Sequence, residues 1–358
     1  AVLVTGAGGS IGSELARQVL HQSPRLLVLL DHSEHNLYQI ERELLSTPAA
    51  DRIRIVPVLG SVYDRELLDV VFAQHDIETV YHAAAYKHVP LVEANMVSGV
   101  RNNVTGSWVA ASAAARAGVE SFVLVSTDKA VRPTNVMGAT KRLAELGVQA
   151  LAKVHSRTRF SIVRFGNVLN SSGSVVPLFR EQIARGGPVT VTHRDVIRYF
   201  MTIPEAAQLV IQAGAQGKKA EVFVLDMGPP VRILELAQKM IRLAGKSPRL
   251  HGEKAAANEI RIELAGLRPG EKLFEELLVH GSEAPTRHPR IMQADEPSVS
   301  LAEYEEWLSR INACMKAHDL QAMRVLLMEL PLQYAAAAIQ EKLPSRHAVS
   351  RVPVSRQL

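Results

Sequence analysis

Short runs of Val, Ile and Leu alternate along the chain with longer stretches in which apolar residues recur every three to four positions. The runs at Ala1–Thr5, Arg25–Asp31, Ile53–Leu59, Thr79–Ala83, Ser121–Ser126 and Phe160–Arg164 read as buried strands, being apolar at successive positions rather than at every second one. Between them, Ile11–His21, Ser33–Leu45, Tyr63–Gln74, Asn102–Ala117 and Gly138–Val154 carry helical periodicity. This alternation predicts an α/β fold, a doubly wound parallel sheet with helices on both faces. In such a sheet, ligands bind at the carboxyl ends of the strands.

After Gly166 the pattern loosens. Asn170–Ser174 reads as a loop, Val189–Thr192 as a strand, Pro204–Ala215 as a helix and Glu221–Leu225 as a strand. These are expected to return in part to the sheet. Val231–Ala244 and Leu273–Leu278 read as helices of a smaller lobe, and Leu301–Ala317 and Leu320–Glu329 as amphipathic helices packed on the outside. The division that follows assigns 1–169 with about 189–227 to a nucleotide-binding domain. It assigns 170–188 with 228–298 to a substrate lobe, 299–344 to C-terminal helices and 345–358 to a basic tail. No internal repeat is evident.

Composition narrows the function classes. With 358 residues, 47% of them hydrophobic, the chain can bury a sizeable core. No apolar run is long enough to cross a bilayer. The single cysteine, Cys314, excludes an intrachain disulfide and a thiolate metal cluster. His32 and His35 after the second strand lack convincing ligand spacing, so no metal is expected. A net charge of +5 suits an anionic ligand. The basic residues are scattered without aromatic interleaving, so no nucleic-acid partner is expected.

The first strand runs into Gly6-Ala7-Gly8-Gly9-Ser10-Ile11-Gly12, with Gly6, Gly9 and Gly12 spaced three apart before a helix. Such a loop lets backbone approach a diphosphate and points free N–H groups of the helix N-terminus at it. This makes the fold Rossmann-type and the cofactor a nicotinamide dinucleotide. Asp31 ends the next strand, where a carboxylate accepts from ribose hydroxyls and repels a 2′-phosphate; NAD is therefore expected over NADP. Ser61 and Val62 after the third strand and Ala83, Ala84 and Ala85 after the fourth let backbone run beside the cofactor. Gly8, Ser10, Ile11, Ser33, Lys87 and Asn103 complete the candidate cofactor contacts.

Thr127-Asp128-Lys129 ends the fifth strand, with Met137 and Lys141 following one helical turn apart. In short-chain dehydrogenases a Tyr-x-x-x-Lys pair stands there, the Tyr as acid–base and the Lys on the nicotinamide ribose. A thioether exchanges no proton, so either the protein does no redox chemistry or another group takes the role. Asp128 and Lys129 are adjacent candidates; Lys129 would serve as a base if desolvation beside Lys141 and a positive nicotinamide lowered its pKa.

At these residues the chain resembles the extended short-chain dehydrogenase/reductase superfamily. Within it, the chain looks like the CapD-like nucleotide-sugar 4,6-dehydratases of bacterial polysaccharide biosynthesis, which act on UDP-N-acetylglucosamine. The motifs are Thr5–Gly12, Ala83–Pro90, Ser126–Ala130, Asn135–Lys141, Arg164–Leu169, Arg198–Thr202 and Leu267–Lys272, and the resemblance covers about Val2 to Asp295. It implies C4 oxidation by NAD, loss of water across C5 and C6, and return of the hydride to C6. By resemblance, Lys129 removes the C5 proton and Asp128 protonates the departing C6 hydroxyl. Thr127 bonds the C4 oxygen and Lys141 the nicotinamide ribose. Asp128, directly or through a water, is the candidate acceptor of the C4 hydroxyl proton. Asn167, Arg198, Arg268 and Lys272 are the candidate substrate-binding residues, with Lys87 near sugar or cofactor.

A subset of this group is similar in carrying Met at position 137. It resembles large membrane-anchored dehydratases whose catalytic domain follows transmembrane helices. The chain opens on a strand without an initiating Met. It is expected to be a cytoplasmic domain at the inner face of a bacterial inner membrane. The Ala-rich helix Val109–Ala117 and the helix Met137–Val154 are expected to pack against a partner copy. Two rival readings remain open: a nucleotide-sugar 4-epimerase, which also oxidises C4 but keeps the water, and a cofactor-binding regulator without chemistry.

Overall fold

The computed structural model describes residues 1–250, 258–276 and 283–336. Its first six strands are β1 (Val2–Thr5), β2 (Leu26–Asp31), β3 (Arg54–Leu59), β4 (Thr79–His82), β5 (Ser121–Val125) and β6 (Arg159–Arg164). They pair in parallel in the spatial order β3-β2-β1-β4-β5-β6. Glu221–Leu225 adds a seventh parallel strand beside β6. Among the described residues Ile291–Ala294 and Glu283–Pro285 then extend the sheet antiparallel, to nine strands. The chain is a Rossmann-type doubly wound sheet, as the alternation predicts.

The continuous apolar runs have a simple cause. Both faces of the sheet are covered, so residues of either parity need to be apolar. In β2, Leu26, Val28 and Leu30 enter the core on one face, while Leu27 and Leu29 enter the other. The first face is covered by α3 (Arg65–His75), α6 (Gly106–Ala117) and α7 (Val136–Val154). The second is covered by α1 (Ser10–His21), α2 (Glu34–Leu45) and α9 (Ile203–Gln216). Leu3, Leu15, Leu20, Leu27 and Leu29 are wholly inaccessible to solvent, each contributing about 2–3 kcal/mol.

Two short helices precede α6 that periodicity does not reveal: α4 (Val89–Ala94) and α5 (Met96–Val100). Residues Arg101–Thr105 then form a π-helical turn leading straight into α6. The extra residue of this turn buries Asn102 and Asn103 against α7, the kind of widened turn that recurs at functional sites.

Four expectations are corrected. The strand at Val189–Val191 forms, but it pairs with Glu259–Leu264 and, through it, Ser247–Leu250, in a separate three-stranded sheet. That sheet, α8 (Val175–Ala184) and α10 (Ile233–Leu243) share a small core of Phe179, Val189, Ile241 and Ile262, so residues 189–191 sit with the lobe. Conversely, 283–294 return to the main sheet. The helix expected at Leu273–Leu278 is absent over 273–276, while 277–278 lie outside the described residues. The Leu273 carbonyl is instead occupied by the Ile197 N–H and the Arg198 guanidinium.

The fourth correction concerns self-association through α6 and α7. The face of α7 away from the sheet is covered by α11 (Leu301–Ala317), and α12 (Leu320–Glu329) joins the same core. A Cβ at Gly147 would lie 2.5 Å from the Tyr304 ring, which shows how closely α11 is seated. The Ala-rich segment of α6 is buried against α3 and α7. Neither helix face is free for a partner copy. The basic tail at 345–358 lies outside the described residues.

Candidate active site

The strand order reverses between β1 and β4, where a doubly wound sheet opens a crevice at its carboxyl ends. A cavity of about 630 Å³ lies there, within the roughly 300–1,000 Å³ of ligand sites. Its floor is the glycine loop. Gly6 takes φ +66° and lies so close to the strand end that a Cβ would meet the Ala84 backbone at 2.7 Å. A Cβ on Gly12 would lie 2.0 Å from the Gly6 carbonyl oxygen. Both contacts are with backbone, which cannot move aside. Gly9 has more room, with its nearest contact at 3.2 Å. Replacing Gly12 by Ala is therefore expected to weaken NAD binding at least about tenfold and to destabilise the fold by about 1–3 kcal/mol. Gly9→Ala should melt close to wild type; equal melting losses in the two variants, by thermal denaturation, would contradict this.

The N-terminus of α1 follows at Gly9, with no side chain capping it, and Gly9, Ser10, Ile11 and Gly12 line the cavity. Its free N–H groups form a site for a diphosphate. The residues present thus fit a dinucleotide. Gly8 faces the other way, its N–H donating to Asp31 Oδ2 at 2.9 Å. Asp31 Oδ1 accepts from the Ser33 N–H at 2.8 Å. Asp31 therefore shapes the loop. Ser33 caps α2, accepting from the Asn36 N–H. Ser61 and Val62 follow β3; Val62 is buried under Gly106.

Ala83 and Ala85 line the cavity after β4, followed by Tyr86, Lys87 and His88. Asn103 holds this segment rather than touching a cofactor. It is wholly buried; its Oδ1 accepts from the Tyr86 N–H, and its Nδ2 donates to the Tyr86 carbonyl and to Thr140 Oγ1. His82, at the end of β4, is clamped between Thr5 Oγ1 at 2.8 Å and Ser107 Oγ at 3.0 Å. Burial, aided by the nearby Lys141 charge, lowers its pKa to about 3, so it is neutral and ties β1, β4 and α6 together.

Thr127, Lys129, Met137 and Lys141 meet on the far wall. Asp128 does not: it is inaccessible to solvent and lies behind them. Its Oδ1 accepts from Thr127 Oγ1 and from Lys129 Nζ, each at 2.9 Å. The direct and water-borne contacts expected of Asp128 therefore give way to contact through Thr127 and Lys129. Burial alone would lower the Lys129 pKa; the Asp128 and Glu275 carboxylates outweigh it and hold the ammonium above its ordinary range. The lowered pKa expected for Lys129 does not occur in the free protein. Lys87, across the cavity, is lowered by burial and by the Lys129 charge.

Lys141 Nζ donates to the Val125 carbonyl at 2.7 Å. Burial lowers its pKa to about 8, with Glu145 opposing the shift. A lysine depressed in the fold binds fewer protons there than in the unfolded chain between that value and its ordinary 10.5. Its contribution to stability therefore rises with pH across that window. Wild type is expected to gain up to about 3 kcal/mol relative to Lys141→Met between pH 8 and 10.5, read by urea denaturation. A flat difference would refute the assignment.

The substrate candidates divide. Asn167 lines the cavity, with a buried Oδ1 that has no partner. Arg198 and Lys272 do not line the cavity. The Arg198 guanidinium donates to the Ile197 and Leu273 carbonyls and to Glu271, and Lys272 Nζ donates to the Val131 carbonyl at 2.9 Å. Arg268 is exposed and does not line the cavity. Sequence patterning misses Glu275, which lies beside Lys129 with its Oε1 3.9 Å from Nζ. It also misses the wall built by α4 and α5, with Leu91, Asn95 and Gly99, and the seating of the Asn170–Ser174 loop, whose Ser172 N–H donates to Ser10 Oγ.

A family of polysaccharide biosynthesis proteins matches residues 2–296. The chain belongs to this family. Within it, the chain is 53% identical over 277 residues to the capsular polysaccharide biosynthesis protein CapD of Staphylococcus aureus. That match covers 77% of this chain but 45% of the relative, so the chain spans less than half of that relative's length. It is 30% identical over 316 residues to a UDP-N-acetylglucosamine 4,6-dehydratase (inverting) of Campylobacter jejuni, covering 87% of each. Among solved structures, Pen from Bacillus thuringiensis superposes with a TM-score of 0.72 at 30% identity, covering 86% of this chain and 96% of that one. The CapD-like assignment within the extended short-chain dehydrogenases/reductases stands.

Proposed function

We propose that the chain is the catalytic domain of an NAD-dependent 4,6-dehydratase acting on UDP-N-acetylglucosamine. One observation carries this reading: Lys129 reaches the cavity wall joined to Asp128 and Thr127, at a strand end facing the α1 N-terminus. An epimerase needs no group to take a proton from carbon C5 and none to protonate a leaving hydroxyl. A base and a proton store built side by side suit an elimination.

When bound, the nicotinamide supplies a transient oxidation, taking the C4 hydride and returning it to C6. The ketone so formed acidifies the C5 proton. Thr127 lines the cavity and its Oγ1 donates to Asp128, so in this reading it passes the C4 hydroxyl proton inward to Asp128. O4 and O6 flank C5, and the same hydroxyl then returns that proton to the departing O6. Lys129 Nζ removes the C5 proton from the cavity side. Met137, only 2% exposed, fills the place of an acid–base with an apolar group and leaves the proton traffic to this trio. Asp31 favours NAD, since a 2′-phosphate would face its carboxylate. Lys87 and the α1 N-terminus supply the positive field a diphosphate needs.

The test is incubation with UDP-N-acetylglucosamine. The expected product is lighter by one water and carries one solvent deuterium at C5 when formed in heavy water. An isobaric product would establish an epimerase instead, and bound NAD with no conversion a regulator.

A further inference from the structure

Beside Lys129 lies a second carboxylate whose situation the reaction above does not explain. Glu275 follows the turn at Gly270 and is 8% exposed. Its Oε1 lies 3.9 Å from Lys129 Nζ, and among the described residues its buried Oε2 has no hydrogen-bond partner. An unpartnered buried carboxylate oxygen is costly unless something fills it in another state. The groups facing it are Lys129, Asp128, Arg198 and Lys272. Burial and the like charge of Asp128 raise its pKa against the pull of the cations, which makes it a ready proton acceptor.

Proton accounting shows why an acceptor is required. In the resting ion pair Lys129 is an ammonium and Asp128 a carboxylate. Elimination requires the reverse: a neutral Lys129 to take the C5 proton and a protonated Asp128 to release one to O6. The C4 hydroxyl proton can convert Asp128 to the acid. Nothing in that step deprotonates Lys129, and Met137 cannot.

Resting on the dehydratase reading, we propose that Glu275 is the proton store of Lys129, holding its extra proton while the amine acts as base. The cycle then balances. The O4 proton passes through Thr127 to Asp128, breaking O4–H and forming Oδ–H. Lys129 gives one proton to Glu275 and becomes a free amine. The amine takes the C5 proton, the C6–O bond breaks, and Asp128 releases its proton to the leaving oxygen as water. As the hydride returns to C6, Lys129 gives its proton back to C5. Glu275 then reprotonates Lys129, restoring the ion pair with no net proton taken up or lost. Glu275 acts through Lys129 and touches no substrate, so it is a positioning residue. The 3.9 Å gap closes to a hydrogen bond by a small side-chain adjustment.

The experiment compares wild type, Glu275→Gln and Glu275→Asp. Wild type is first assayed for loss of water from UDP-N-acetylglucosamine. If it makes none, the dehydratase reading itself fails and takes this proposal with it. If it does, Glu275→Gln is expected to lower kcat about 10²–10³-fold with KM changed less than about threefold. It should also lose the acid limb of the kcat profile, because that limb reports Glu275 protonated before turnover. Glu275→Asp restores the limb and at least about tenfold of the rate. A Gln variant with wild-type kcat, a parallel loss in KM, or an Asp variant no better than Gln overturns the proposal. If Glu275→Gln does not fold, infrared titration of wild type decides. A carboxyl band titrating along the acid limb supports the store, and none titrating there overturns it.

Discussion

Lys129→Met should reduce dehydration by about 10³–10⁴-fold while leaving the bound nicotinamide reducible by substrate. Met matches the length of the lysine and removes only the amine. In the proposed cycle C4 oxidation runs through Thr127 and Asp128, whose 2.9 Å hydrogen bond does not involve Lys129, so the first half-reaction should survive. Among the described lining residues Lys129 is the base joined to Asp128, whereas Lys141 is tied to the Val125 carbonyl and Lys87 and His88 belong to the segment after β4. The variant should therefore accumulate absorbance of reduced nicotinamide on mixing with UDP-N-acetylglucosamine and release no dehydrated sugar. Equal loss of reduction and dehydration would instead make Lys129 a binding residue. A second consequence is electrostatic. Without the ammonium, Asp128 and Glu275 face each other unscreened, and the Glu275 pKa rises further above its ordinary 4.5. A carboxyl raised in the fold holds its proton longer there than in the unfolded chain. The variant should lose more stability than wild type as pH rises past 4.5, because wild type keeps the Lys129 ammonium beside the same carboxyl.

The parts of this site legible in the sequence are those set by backbone needs. Gly6 and Gly12 are fixed by contacts with neighbouring backbone, which any sequence of this topology needs, so a spacing rule finds them. β2 and β5 are legible because burial on both faces forces continuous apolar runs. Thr127 and Lys129 are found because a strand end in this fold is a reaction site. What escapes notice has no period. Glu275 belongs to a segment held out of a helix by long-range bonds such as Lys272 to Val131, and an Arg-Pro-Gly turn before a Leu-Phe pair reads locally as a helix start. The lobe strands span only two to six residues, too short for alternation to assign a sheet. Arg198 follows the opposite logic: as an arginine beside a matched motif it suggests a phosphate ligand, yet two backbone carbonyls and Glu271 already take three of its five N–H donors. Asp128 shows the same limit, since adjacency to Thr127 and Lys129 does not reveal that it stands behind both.

The other large effect concerns charges that periodicity would place on a surface. Arg142 and Glu145 sit three residues apart in α7, the usual spacing of a solvated pair, yet their side chains are at most 4% exposed. Arg164 from β6 and Glu296 complete an alternating square. Glu145 contacts Arg164 at 2.6 Å and Arg142 at 3.1 Å, while Glu296 contacts the same two cations at 2.6 and 3.2 Å. Burial pushes the Glu145 pKa upward, but the two guanidiniums, Arg164 foremost, overcome it and bring it down to about 2. Glu145→Ala leaves two buried cations facing one carboxylate, so it should cost about 3–5 kcal/mol in urea denaturation at neutral pH. Replacing the whole square by apolar residues of similar volume should cost far less, because no orphaned charge remains. The sign with pH follows from the lowered pKa: the Glu145 contribution is complete above its ordinary 4.5 and is lost as pH falls toward 2. The wild-type advantage over Glu145→Ala should shrink across that interval. The square also reaches the active site, since Ser126 Oγ donates to Glu145 Oε1 at 2.6 Å one residue before Thr127. Glu145→Gln keeps an acceptor for Ser126, so it should preserve more activity than Glu145→Ala even where both melt early. A loss below about 1 kcal/mol in Glu145→Ala would show that water enters to solvate the arginines, and that the end of β5 is held by its ladder bonds alone.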